Sequence, residues 1–134
     1  MRMTLEADYA VRVVEYLTEH NSKVDAKTIS ANTEVPLRFL LKILRKLVES
    51  NIACSFKGAK GGYKLAKEPK DITLRQVIEA VDGMYMMFNK CQSTNYNCGR
   101  TSCHLHSIYN QISIEVRDKL DSYNFASLCG IAEE

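Results

Sequence analysis

One hundred and thirty-four residues, 46% of them apolar and 25% charged, supply one hydrophobic core and not two large ones, which excludes a large catalytic fold. The longest unbroken apolar run, over 84–88, falls far short of the roughly 18 residues that cross a bilayer; no charged-then-apolar leader opens the chain, so a soluble, cytoplasmic protein with no membrane partner is expected. The net charge of +2 is a remainder: residues 1–70 hold thirteen Lys and Arg against eight Asp and Glu, residues 71–134 hold five against eight, and within 36–64 seven basic side chains face Glu49 alone, the footprint of a module that meets a polyanion.

In chain order, Ala10, Val13, Val14 and Leu17 recur at helical spacing with Tyr9 and Tyr16 beside them, and Thr4 is placed as a cap, so a first helix is expected over about 4–20. Asp25 can cap a short helix over about 26–33 that buries Ile29. Pro36, whose fixed φ and missing N–H suit a first helical turn, opens a third helix over about 36–50, with Leu37, Leu40, Leu41, Leu44, Leu47 and Val48 as its apolar stripe. Arg38, Lys42, Arg45 and Glu49 form one line on the opposite face.

The period then changes from helical to alternating. Ile52, Cys54 and Phe56 alternate with small or polar residues, as do Tyr63 and Leu65 after the basic, glycine-rich stretch 57–62, which predicts a β-hairpin over about 52–66 with Cys54 as a small buried residue. Two short helices, the second with a basic exposed face, followed by a basic hairpin make a winged helix-turn-helix over 1–83: mainly α, with a small β-hairpin wing. In that arrangement the second helix of the pair enters the major groove of double-stranded DNA and the hairpin lies along the backbone or the minor groove. Arg38 and Lys42, with Arg45 behind them, are the candidate base and phosphate contacts, and Lys57 and Lys60 the candidate wing contacts. Phe39 is placed either to meet a thymine methyl or to sit in the core.

Thr73 and Gln76 have capping-box spacing, Ile72 and Val77 can staple the same helix start, and Gly83 can end the helix. From 84 to about 100 no period is present and a loop is expected. Leu105, Ile108, Ile112, Val116, Leu120 and Tyr123 then recur over about 102–124, a long helix whose narrow apolar seam predicts pairing with a second copy of the chain rather than packing on the N-terminal body. The tail, 125–134, carries no signal beyond Cys129.

Five cysteines in a chain without a leader do not make a disulfide framework. Cys91, Cys98 and Cys103, with His106 three positions further on, gather four soft or borderline donors within sixteen residues of a loop spanning about 84–106. Gaps of six and four residues suit a cluster better than the shorter gaps of zinc knuckles, so an iron–sulfur site is favoured, with zinc open. His104 reads as a surface residue, His20 as an ordinary helix C-terminal residue, and Asp8 as an acid favourable to a helix dipole. No Ser/His/Asp or paired-carboxylate arrangement offers catalysis. The rival readings are a zinc-stabilised constitutive DNA-binding protein and an iron–sulfur electron carrier; the second has no use for the basic segment.

The opening MRMT (1–4), then DYAVR (8–12), KGAKGGY (57–63), ITL (72–74), VDG (81–83) and three cysteines before a long helix resemble the IscR/NsrR family of winged-helix regulators over nearly the whole chain. The resemblance implies a homodimeric bacterial transcription regulator, a repressor, whose affinity for its operator is controlled by an iron–sulfur cluster responding to iron, redox state or nitric oxide. It implies Cys91, Cys98 and Cys103 as ligands. The fourth is His106, as in IscR-like members with a 2Fe-2S cluster, or Asp8, as in NsrR-like members with a 4Fe-4S cluster. The six-and-four spacing departs from the five-and-five common in that family, and Lys57 stands where many members have arginine.

Overall fold

The computed structural model describes residues 3–84 and 104–131. Helix α1 (Leu5–Glu19) starts where Thr4 Oγ1 accepts the Ala7 N–H at 3.1 Å, and α2 (Ala26–Thr33) where Asp25 Oδ1 accepts the Thr28 N–H at 2.7 Å. Each oxygen satisfies a donor that the helix start leaves unpaired. Helix α3 (Leu37–Glu49) follows after Pro36. Between α2 and α3, Glu34 adopts the left-handed conformation (φ 59°), Val35 is buried, and Ser30 Oγ donates to the Val35 carbonyl at 2.6 Å. The turn is thus anchored in the core, which fixes how α3 is presented.

Strands β1 (Ala53–Phe56) and β2 (Gly62–Leu65) pair antiparallel, Ala53 opposite Leu65 and Phe56 opposite Gly62. Val24 joins as a third rung by exchanging backbone hydrogen bonds with Tyr63 at 3.0 and 2.8 Å. A Cβ on Gly62 would stand 2.7 Å from the Val24 carbonyl oxygen, so glycine there is demanded by the close approach of two backbones. Ile52 is buried as expected, but the register corrects the rest of the alternation. Ala53 and Ser55 lie opposite Leu65 and Tyr63 on the core side, while Cys54 and Phe56 lie opposite Lys64 and Gly62 on the other. Cys54 is therefore half-buried and Phe56 exposed, its ring 5.0 Å from the Lys23 ammonium. A strand residue faces the core only if it shares a side with the core-facing residues it pairs beside, and Phe56 does not.

Beyond a single 3-10 turn at Pro69–Asp71, α4 (Leu74–Asp82) is capped by Thr73, whose Oγ1 accepts the Gln76 N–H at 3.2 Å. Only that half of the predicted capping box forms: Gln76 Oε1, which would accept the Thr73 N–H, is buried without a hydrogen-bond partner among the described residues, and the Thr73 hydroxyl also donates to Asp121 at 2.8 Å. Ile72 and Val77 are both fully buried, as the staple requires.

Helix α5 (His104–Asp121) runs beside α4. Ser113 is buried and Tyr109, Ile112, Val116 and Leu120 are half-buried, so part of the apolar seam expected to face only a second copy packs on the chain's own body, while Leu105, Ile108 and Ile114 stay exposed.

The tail, silent in the sequence, holds a further helix, α6 (Phe125–Leu128), capped by Asn124 Oδ1 accepting the Ser127 N–H at 2.9 Å. Its entry pairs with the approach to α4: Leu74 N–H donates to Tyr123 and Phe125 N–H to Ile72, at 2.9 and 3.0 Å. Phe125 thereby enters the one core cluster with α1, α3 and α4 residues. No helix of the described residues is long and apolar enough to cross a membrane.

Candidate nucleic-acid interface

Helix α3 buries Leu40, Ile43, Leu44 and Leu47, a complete i, i+3, i+4, i+7 face. That set corrects the predicted stripe. Leu37 and Leu41, assigned to the core, are exposed, and Ile43, left out of the stripe, is central to it. The signal was available, because counting from Leu40 places Ile43 on the buried face and Leu41 at its edge.

The opposite face exposes Arg38, Lys42 and Arg45. Phe39 is not a core residue: its ring is 39% exposed, packs 6.2 Å from Tyr9 of α1, and carries the Arg38 guanidinium 5.3 Å from its centroid. The stacking presets a side chain that would otherwise sample many rotamers. Arg38, Arg45, Lys57 and Lys60 form no ion pair among the described residues.

Lys42 differs. Its ammonium lies 3.3 Å from Glu6 of α1, whose carboxylate is shared with Lys46 at 3.2 Å. Desolvation pushes the Glu6 carboxyl up, but the hydrogen bonds and charges of the two lysines outweigh it and hold the group below its ordinary range. On the wing, Lys57 and Lys60 are exposed around Gly58, which takes a positive φ of 97°. Lys23, unremarked in the sequence, adds a cation over Phe56 at the rung next to the hairpin tip.

Of the proposed metal donors, Cys91, Cys98 and Cys103 lie outside the described residues. His106 is exposed in the first turn of α5, the turn that follows Cys103 directly. Asp8 is ion-paired with Arg12 at 3.2 Å, an exposed i, i+4 contact of the kind worth a few tenths of a kcal/mol, roughly. Among the described residues no group of three or more His, Cys, Asp and Glu could hold a metal ion. The chemistry of the full donor set, three thiols with an imidazole or a carboxylate, fits a thiolate-bound cluster.

The two remaining cysteines are isolated. Cys54 sits opposite Lys64 in the hairpin, and Cys129 ends α6, where burial first, and then Glu15 and Glu19, push its thiol up. Since the thiolate is the nucleophile, Cys129 should alkylate more slowly at pH 8 than a thiol in the unfolded chain and accelerate on denaturation. Peptide mass mapping after iodoacetamide checks this, and equal rates before and after unfolding would contradict the burial. His20 ends α1 with its ring stacked on Tyr16 at 4.1 Å, the ordinary role expected of it.

Comparison with known proteins agrees with this architecture. The family described as Rrf2, iron-dependent transcriptional regulator, matches residues 3–130. The HTH-type transcriptional regulator IscR of Vibrio vulnificus is 28% identical over 130 residues, covering 96% of this chain and 77% of the relative. Among solved structures, IscR of T. potens superposes with a TM-score of 0.77 at 23% identity, covering 99% of this chain and 89% of that one. CymR, the global cysteine regulator of B. subtilis, superposes with 0.76 at 18% identity over 99% of both. With a basic helix-turn-helix and wing built on this core and a family match over nearly its whole length, the chain belongs to the Rrf2 family as a DNA-binding transcriptional regulator of the IscR type, not an enzyme.

Proposed function

We propose that two copies of this chain bind a two-half-site operator as a repressor and that bound iron–sulfur governs the affinity. The observation that carries the DNA-contact assignment is the surface of α3: Arg38 braced on Phe39, with Arg45 one line further along, both cationic, exposed and without an ion pair among the described residues. Arg38, near the helix N-terminus, is the candidate reader of base edges. Arg45, with Lys57 and Lys60 of the wing, is a phosphate contact. Lys42 lies on the same line.

Pairing of two copies is supported by Leu105 and Ile108, neighbouring large apolar side chains at i, i+3 on α5 left 40% or more exposed. A second α5 would cover such a surface and space two α3 helices for successive half-sites. Cys91, Cys98 and Cys103 through their sulfurs, with His106 through a ring nitrogen, are the residues that would hold the cluster. When bound, an iron–sulfur cluster would supply iron sensitive to redox state and nitric oxide. His106 is favoured over Asp8 because it follows Cys103 by three residues in the sequence and stands in the first turn of α5. A 2Fe-2S cluster accords with that choice.

The test is a mobility-shift titration at several salt concentrations. Arg38→Ala should weaken operator binding by about 10- to 100-fold, the value of one good base contact at roughly 1–3 kcal/mol. Arg45→Ala should flatten the dependence of log affinity on log salt by about 0.9, the release of one phosphate contact. Unchanged binding in both removes α3 from the interface.

A further inference from the structure

The recognition helix carries a lysine whose charge is already answered within the chain. Lys42 is on the exposed basic line of α3, with its side chain 54% exposed, yet its ammonium is 3.3 Å from Glu6. Glu6 is not a drifting surface acid. It sits in the first turn of α1 with its side chain 21% exposed, and Lys46, one turn along α3, holds the other carboxylate oxygen at 3.2 Å. Lys46 is itself fixed by a 3.4 Å hydrogen bond to the Val81 carbonyl near the end of α4. The α1 start is tied to that same end, since Thr4 N–H and its hydroxyl both donate to Asp82. The carboxylate is therefore held in place beside the DNA-facing line by contacts from three helices.

We propose that Glu6 acts as an internal stand-in for a phosphate: it withholds Lys42 from random-sequence DNA and makes Lys46 its positioning partner. The proposal rests on the reading of α3 as the DNA-contacting helix. Its physical basis is competition between two anions for one cation. A carboxylate already desolvated and oriented at 3.3 Å has no ordering cost left to meet, whereas a phosphate in a loosely docked, sequence-independent complex must be brought to the ammonium. Lys42 then adds nothing to non-specific binding and becomes available only where docking of α3 brings a phosphate close enough to displace Glu6. The effect is on discrimination between operator and bulk DNA, which depends on how weak the non-specific complex is.

The experiment measures the salt dependence of binding to a random-sequence duplex by fluorescence anisotropy, using the full chain. Glu6→Gln should steepen the slope of log affinity against log salt by about 0.9, one added phosphate contact, so that raising salt from about 50 to 200 mM costs roughly threefold more affinity than in the wild type. In a Lys42→Ala background the same Glu6→Gln change should leave the slope where it was. An unchanged slope in Glu6→Gln, or an equal change with and without Lys42, overturns the proposal, because a merely structural role for Glu6 would not depend on Lys42. If Glu6→Gln fails to fold, Lys42→Ala alone decides: the slope on random DNA stays as in the wild type if Glu6 already neutralises Lys42, and flattens by about 0.9 if it does not. Arg38→Ala and Arg45→Ala on the operator separate the two readings. Operator binding untouched by both Arg38→Ala and Arg45→Ala sinks the α3 assignment itself; binding weakened there with no Glu6 effect sinks only the phosphate stand-in.

Discussion

Replacing Cys91, Cys98 and Cys103 together by serine is expected to give a colourless protein without bound iron or acid-labile sulfide, where the wild type purified anaerobically is brown. Serine keeps the volume and loses the soft thiolate donor, so a sulfide-bridged iron site loses three ligands at once. The fold should survive. Among the described residues the core cluster is built within 10–81 and completed by Phe125. The triple variant and the metal-free wild type should therefore melt together. Wild-type protein that is colourless and carries stoichiometric zinc would overturn the cluster and return the zinc reading. Within the same series, His106→Ala should bleach or shift the visible band while Asp8→Ala leaves it unchanged; the reverse result would assign Asp8 as the fourth ligand and favour a 4Fe-4S cluster.

Truncating Phe125 to alanine should cost about 3–5 kcal/mol, the range for removing a buried aromatic ring. That is a large part of the roughly 5–15 kcal/mol that holds a domain folded. Phe125 is 1% exposed and is led into the core by the backbone pairing of 123–125 with 72–74. Its loss leaves a cavity and loosens the seam between α4 and the end of α5. A thermal melt should show a fall of about 10–20 °C. Leu128→Ala, three residues on and 48% exposed, is the control and should stay within about 0.5 kcal/mol of wild type. Equal melting of Phe125→Ala and wild type would mean that α6 is not part of the core.

These two predictions mark different depths of legibility. The cysteine set is a proposal from the sequence, where metal ligation is a matter of donor type and short spacing, both written along the chain; its three thiols lie outside the described residues. Phe125 was not legible there. One aromatic residue in a four-residue helix has no period, and only its meeting with α1, α3 and α4, far away in sequence, decides that it is buried. The wing shows the same divide. The glycines and alternation over 52–66 announced a hairpin, yet whether Phe56 faced the core depended on the pairing register, which puts it opposite Gly62, away from Tyr63 and Leu65, and leaves its ring exposed beside Lys23.

What the sequence by itself determined is everything enforced within a few residues: the caps Thr4, Asp25 and Thr73, the helical periods of α1, α3 and α4, the turn before Pro36, and the basic line Arg38, Lys42, Arg45. Together with the resemblance, those local features were enough for the family. Only the tertiary structure decided which members of that line are free to meet DNA. Phe39 became a shelf for Arg38 by packing against Tyr9, and Lys42 became half of an ion pair with Glu6, thirty-six residues earlier. The physical reason is range: a hydrogen-bonded cap or a helical stripe acts between near neighbours in the chain, whereas the charge a side chain presents to a partner is set by whatever folding brings within a few ångströms of it.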